Sequence, residues 1–397
     1  MERSRLSLIL ETVRVFLRLG CTSFGGPVAH LGYFQNEFVQ RQRWVSDAAY
    51  ADVVALCQFL PGPASSQVAL VLGYLRSGLF GGILGWMAFT APSAALMIGF
   101  AYGVHLLNVQ AAGWLLGLKV AAVAVVAQAI WTMANRLCPD LPRISLMVAC
   151  AVVLIIFRAG WLQPVMIASG ALFGVARLRT ESQARKGREI FSRNLLLSRR
   201  LAATSLALFA VLLGLSLFWH DGGALENTFA RFYRTGSLVF GGGHVVLPLL
   251  QAETVSSGLV SHDVFLAGYG AAQALPGPLF TFAAFLGASI PSPYPPWFLG
   301  LWCLAAILLP SLLLIVGTLP FWARLTGNAR AQAALKGANA SVVGLLVAAF
   351  YDPIWKTGIT SPQACALGLA AFALLQFWKI PNWGVVLVCA AAGEWLL

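Results

Sequence analysis

Charge is what this 397-residue sequence has least of: Asp, Glu, Lys and Arg make up 10% of it, and only 14 residues are acidic. Soluble domains carry about 25% charged residues, so this chain has too little polar surface to cover a globule in water and belongs in lipid. Strict apolar/polar alternation over about ten residues, the mark of a membrane β-barrel strand, is missing too. Paired thiols are absent. The seven cysteines (Cys21, Cys57, Cys138, Cys150, Cys303, Cys365, Cys389) contain no C-x-x-C and mostly lie in apolar runs, which reads them as small buried hydrophobes and argues against metal or thiol chemistry. No G-x-x-x-x-G-K-[ST], H-E-x-x-H, G-x-S-x-G or dinucleotide fingerprint occurs, so an enzyme reading, a metal centre and a bound cofactor have no support. The uncharged core of a cleavable signal peptide is lacking as well, because Glu11, Arg14 and Arg18 interrupt the first segment; that segment is expected to stay in the mature protein.

What the sequence has in abundance is apolar. Hydrophobic residues form 59% of the chain and mean hydropathy is +0.79. Runs long enough to cross a hydrocarbon core of about 30 Å as helices recur from end to end, among them Gly78 to Leu107, Ala111 to Ala134, Leu201 to Trp219, Trp297 to Phe321 and Ala331 to Tyr351. Roughly twelve or thirteen such segments follow from this pattern. The fold class is therefore all-α: a polytopic helical bundle whose surroundings are the lipid bilayer. A net charge of +12 does not point to nucleic acid, since 8 of the 26 basic residues fall between Arg177 and Arg200 and the others are scattered over loops. That distribution orients a membrane protein.

A series of motifs occurs twice in the same order. Phe24-Gly25-Gly26-Pro27 returns as Phe240-Gly241-Gly242-Gly243, Gln35 and Glu37 as Gln251 and Glu253, and Gln58-Phe59-Leu60-Pro61-Gly62-Pro63 as Gln273-Ala274-Leu275-Pro276-Gly277-Pro278. Pro92-Ser93 is echoed by Pro310-Ser311, Leu118-Lys119 by Leu335-Lys336 and Pro164 by Pro381. The series divides the chain into a first repeat, 1–176, and a second, 221–397. Residues 177–220 between them hold a basic linker, expected on the cytoplasmic side, and one apolar segment with no counterpart. That extra crossing starts the second repeat from the opposite face. Charges in matching loops are complementary: Arg76 against uncharged Ser292-Pro293-Tyr294-Pro295-Pro296, Asn108-Val109-Gln110 against Arg324 and Arg330, Arg136 and Arg143 against Lys356 alone. This predicts inverted repeats, with Lys379, Arg231 and Arg234 as exceptions.

The strongest local signal is Pro61-Gly62-Pro63 within the apolar stretch from Ala48 to Leu75, matched by Pro276-Gly277-Pro278. Two prolines remove two amide donors and a glycine opens dihedrals other residues avoid, so a helix cannot run straight through. In lipid such a break survives only where protein or a watery cavity satisfies the backbone. The half-helix beyond each break presents free N–H groups and a positive dipole end, a place for an anion. Gln58, Ser65, Ser66, Gln67, Gln273 and Thr281 are candidate neutral hydrogen-bonding groups there; the competing reading is a kink that only shapes packing. Lys119 and Lys336 either compensate the anion's charge or snorkel to the interface, and Asn339 adds a polar contact in the second half, where Ala122 stands in the first. Weaker breaks are expected at Gly25-Gly26 and Gly241-Gly242. Just beyond them His30, Glu37, His244 and Glu253 are candidates for proton coupling or gating, against a solvated interfacial role for Glu37 beside Arg41 and Arg43. Asp52, Arg158, Asp263 and Asp352 read as structural, at helix starts, loop ends or the Asp-Pro turn.

At these motifs the sequence resembles the chromate ion transporter family in its two-domain form, over nearly the whole chain. Phe24 to His30, Leu56 to Pro63, Phe240 to Pro248, Ala272 to Pro278 and Leu335 to Ala340 carry the resemblance. It implies a carrier in the bacterial cytoplasmic membrane that expels chromate, driven by protons or the membrane potential. Sulfate or another tetrahedral oxyanion, or an uncoupled anion channel, are the alternatives, and a homodimer is left open as the assembly. The sequence departs from the pattern at Gly258-Leu259-Val260-Ser261, which lacks the tryptophan of Trp44-Val45-Ser46, and at Ala122. Both departures bear on how symmetric the site is.

Overall fold

The computed structural model describes residues 5–107, 113–157, 162–178, 197–218, 222–240, 245–322 and 328–396, and every element among them is helical. The first repeat contains α1 (Arg5–Thr22), α2 (Gly26–Phe34) running on into a π-helical stretch (Gln35–Arg41), α3 (Asp47–Phe59), α4 (Ala64–Leu107), α5 (Gly113–Leu137), α6 (Leu141–Ile156) and α7 (Leu162–Arg177). α8 (Arg199–Phe218) stands between the repeats. The second contains α9 (Ala224–Leu238), α10 (Val246–Thr254), α11 (His262–Ala274), α12 (Phe282–Ser289), α13 (Pro296–Thr318), α14 (Ala329–Ala349), α15 (Pro362–Gln376) and α16 (Asn382–Leu396). Most of the basic linker, residues 179–196, and Arg158, Gly241, Gly242, His244 and Arg324 lie outside the described residues.

Equivalent local chemistry starts and stops equivalent helices. Ser46 Oγ accepts from the Ala49 amide at 3.2 Å and Ser261 Oγ from the Val264 amide at 3.3 Å, capping α3 and α11. Leu60 (ψ 148°) and Leu275 (ψ 149°) end them, each forced into extended geometry by the proline that follows. α4 is one element only nominally. At Gly78 (φ 79°, ψ 178°) the chain folds back, and a Cβ on Gly73 would lie 2.8 Å from the Gly82 Cα. In a straight helix nine residues at about 1.5 Å each would separate those positions. Its two arms, 64–77 and 79–107, correspond to the hairpin of α12 and α13, closed by Gly287 against Leu299 and Cys303.

The repeats interlock. α5 packs on α15 and α16 of the second repeat, and α14 on α6 and α7 of the first. Glycines make the crossings close: Gly113 meets Gly393 and Gly117 meets Cys389, while Gly174 meets Ala333 and Gly170 meets Gly337 and Ser341. Those pairings run antiparallel. α6 instead lies alongside α14 in the same sense, from Asp140 within Coulomb reach of Lys336 to Cys150 Sγ on the Ser341 carbonyl (3.2 Å). Gly358, beyond the end of α14, packs on Val123 and the Lys119 carbonyl in the first half of α5, so α5 and its equivalent α14 run in opposite directions. The repeats are inverted.

Among the described residues five helical stretches are long and apolar enough to span a membrane: Ala64–Val104, Gly113–Leu137, Arg199–Phe218, Pro296–Phe321 and Ala329–Gly358. They coincide with the five runs singled out in the sequence. The other apolar helices have 10–17 residues, too short at about 1.5 Å per residue to cross about 30 Å unaided. The glycine and Pro-Gly-Pro breaks shorten several of the twelve or thirteen apolar segments of the sequence.

Candidate functional site

Both Pro-Gly-Pro segments interrupt their helices as expected, and α4 begins anew at Ala64, just as a short 3-10 turn (Leu279–Thr281) leads into α12. Gly62 (φ 121°) and Gly277 (φ 95°) lie in the region only glycine enters cheaply. Each break is closed by the other repeat. The Gly62 amide donates to the Val239 carbonyl at 2.7 Å, and the Gly277 amide donates to the Ser23 carbonyl at 2.9 Å. These four residues are related by the same duplication. Above each glycine stands a serine of the opposite repeat: a Cβ on Gly62 would collide with Ser311 Oγ, and one on Gly277 would lie 2.7 Å from Ser93 Oγ.

Pro61, Pro63, Pro276 and Pro278 flank the two glycines, and Ser65, Ser66 and Gln67 fill the first turn of α4 almost wholly buried. Gln67 Nε2 donates to the Pro61 carbonyl at 2.7 Å, which leaves Gln67 Oε1 without a partner. Ser66 Oγ, Ser311 Oγ and Ser23 Oγ are likewise buried and unpaired, while the Gln273 side chain hydrogen-bonds the Tyr269 hydroxyl. The first amides of α4 have no acceptor within the helix; at α12 the Phe282 amide already donates to the Leu279 carbonyl, so the free amides there are those of the preceding 3-10 turn. Buried neutral donors and helix N-termini together suit an anion.

The two glutamines differ. Gln273 is buried, with Oε1 accepting from Asn382 Nδ2 at 3.2 Å, whereas Gln58 is exposed and its Oε1 accepts from Arg136 Nη2 at 3.3 Å. The lysines are engaged outside the breaks. Buried Lys119 donates to Asp263 Oδ1 at 2.7 Å, and Gly270, the α11 residue that abuts Leu118, is seven positions from Asp263 on the side toward the break, so the ammonium points away from it. Asp263 does occupy the first turn of α11, yet it also holds Lys119, a role its position in the sequence did not disclose. Lys336 faces Asp140, and Asn339 Oδ1 in α14 is buried and unpaired.

The Gly25-Gly26 break is present, with φ of 99° and 74°. His30 beyond it is fully buried. Its Nε2 donates to the Ser23 carbonyl at 3.1 Å, so this one carbonyl receives both His30 and Gly277, and His30 Nδ1 is left unpaired. Glu37 accepts from Arg18 at 2.6 Å, Arg41 at 3.3 Å and Gln42 at 3.0 Å. Glu253 binds Arg234 through two contacts of 2.7 and 2.6 Å and Arg231 at 3.7 Å, while Arg234 Nη1 also donates to the Ser216 carbonyl. Arg18 and Arg234 are equivalent, as are Glu37 and Glu253. The repeat offset was the signal for the arginines, as it was for Ser93 and Ser311; Arg231 and Arg234 are helix residues with carboxylate partners rather than loop charges.

Burial pushes the Glu37 carboxyl up, but hydrogen bonds from Gln42 and Arg18 and the charges of Arg18 and Arg41 outweigh it and hold its pKa below the ordinary value. A cavity of about 240 Å³ lies apart from both breaks, lined by Gln163, Gln251, Ser256, His262 and Asp352 with apolar residues of α6 and α14.

Two interlocked repeats, each closing the helix break of the other, with several helices long and apolar enough to span a bilayer, define a multi-pass membrane protein. The chain belongs to the chromate transporter family, whose model matches residues 10–175 and again 227–394. The family is one of transport proteins rather than enzymes. A chromate transport protein of Pseudomonas aeruginosa is 26% identical over 398 residues, covering 96% of this chain and 91% of that one. A chromate transport protein of Cupriavidus metallidurans is also 26% identical, covering 96% and 92%. An uncharacterized transporter of Methanocaldococcus jannaschii is 23% identical over 88% of this chain and 85% of its own. No solved structure matches.

Proposed function

We propose that the protein is a secondary carrier that exports chromate from the cytoplasm across the inner membrane of a bacterium, driven by protons or the membrane potential. The observation that carries this reading is the reciprocal closure of the breaks, Gly62 on Val239 and Gly277 on Ser23, in a chain whose relatives over 96% of its length are named chromate transport proteins. An anion between the breaks meets helix N-termini and neutral donors, which bind it without trapping it as a buried cation would.

Inversion sends Glu37 and Glu253 toward opposite faces. One ties α1 to the end of α2 and the other α9 to α10, so the two ion pairs are read as latches that open in turn. His30 Nδ1, buried and unpaired, is the proton acceptor nearest the centre in this scheme.

Radiolabelled chromate uptake into energised inside-out vesicles tests the reading. Saturable uptake that excess sulfate barely inhibits and that collapses when the proton gradient is discharged is the expected outcome. Uptake that rises linearly with concentration would mean a channel, and none at all would sink the chromate assignment.

A further inference from the structure

The hydroxyls around the two breaks are used unequally. Ser66 and Thr281 are equivalent positions, as are Ser311 and Ser93. Thr281 Oγ1 donates to the Pro278 carbonyl at 2.8 Å and Ser93 Oγ to the Thr90 carbonyl at 3.1 Å. Ser66 Oγ and Ser311 Oγ donate to nothing, although the residues are 0% and 1% exposed. Ser23, 0% exposed, is also unpaired at Oγ, and its equivalent Val239 has no hydroxyl at all.

A buried helical hydroxyl has a ready outlet in the carbonyl three or four residues back. Thr90, Thr228, Ser237, Ser289 and Thr318 of this chain all take it. Ser66 and Ser311 decline it in the most buried part of the molecule, where an unmet donor is costly. Ser311 comes from the second repeat and stands over Gly62; Ser23 comes from the first and its carbonyl holds Gly277. These open donors flank both breaks: Ser311 and Ser23 come from the repeat opposite to the break they adjoin, and Ser66 from the same repeat, while a further unpaired serine, Ser341, lies against Gly170 of α7.

We infer that Ser23, Ser66 and Ser311 are oxyanion-binding residues, donating to the oxygens of a tetrahedral oxyanion held between the breaks, and that Ser93 and Thr281 are not. This rests on the transport reading above and names the donors within it. No charged side chain is part of the set, so the ion is held by neutral hydrogen bonds and two helix N-termini.

The test uses the full-length protein in lipid nanodiscs, with chromate binding measured by equilibrium dialysis and thermal unfolding measured without ligand. Ser23→Ala, Ser66→Ala and Ser311→Ala should each weaken chromate binding about 10-fold or more, the loss expected for a hydrogen bond to a charged group. Their melting temperatures should hold or rise, because an unpaired buried hydroxyl is removed. Ser93→Ala and Thr281→Val should stay within about threefold of wild type. Equal losses in the two groups, or wild-type binding in the first, would overturn the assignment, as would a loss of binding that tracks a fall in melting temperature. Wild-type protein that binds no chromate would overturn the transport reading with it, so the two failures are distinguishable.

Discussion

Gly62 carries two constraints at once, a φ of 121° and contact with Ser311 and Gln67 where a Cβ would stand. Gly78, at φ 79°, has nothing within 4 Å of that position. Gly62→Ala should therefore destabilise the protein by more than about 2 kcal/mol and abolish transport, while Gly78→Ala costs about 1 kcal/mol for the backbone alone. Thermal-shift assays on both variants in detergent check this, and equal shifts would mean that the break is not tightly packed. His30 shows the same economy of contacts: its Nε2 and the Gly277 amide share the Ser23 carbonyl, so a ring in the first repeat and a loop in the second are held by one atom.

The ion pairs operate between elements, α1 to the π-helical end of α2 and α9 to α10. They are equivalent in sequence and unequal in setting. Arg234 and Glu253 are 18% and 19% exposed, whereas Arg18 is 44% and Glu37 7% exposed. Glu37 keeps Arg41 and Gln42 when Arg18 is removed, whereas Glu253 without Arg234 keeps only Arg231 at 3.7 Å, so Arg234→Met should cost about 3 kcal/mol and Arg18→Met about 1 kcal/mol. Chemical unfolding of the two variants separates these values.

The Glu37 pair also sets a pH response. A carboxyl whose folded pKa lies below its unfolded one contributes stability that is complete above the unfolded value, about 4.3, and disappears as pH falls through the folded value. Melting temperature measured from about pH 6 down to about pH 3 should fall in the wild type and fall less steeply in Glu37→Gln; parallel curves would dismiss the latch at this residue.

At the scale of the whole molecule the repeats cannot part without uncovering each other. α5 is covered by α15 and α16, and α14 by α6 and α7. Residues 117–126 of α5 and 337–346 of α14 are all buried. Expressed alone, residues 1–176 or 198–397 would expose these faces to lipid and leave Gly62 or Gly277 without its carbonyl partner. Each half should accumulate poorly by itself and copurify when both are expressed. Stable, separately folded halves would contradict the interlock.

The sequence by itself determined the membrane class, the duplication, the positions of both helix breaks and the inversion, because each depends on local features: apolar run length, proline stereochemistry, repeat offset and loop charge. It also pointed to Ser66, Gln67 and Gln273, which lie in or beside the broken segments. Only the tertiary structure decided which of the candidates meet. Gln58 and Gln273 read alike in sequence, but the neighbours supplied by α5 and α16 leave one exposed and bury the other. Lys119 turned to Asp263, 144 residues away, and Ser23, Ser311, Arg18 and Arg234 entered the site through partners distant in the chain or in the other repeat. A repeat offset marks such residues as equivalent; what they touch depends on how two inverted copies pack, and that energy is shared among contacts that no local stretch contains.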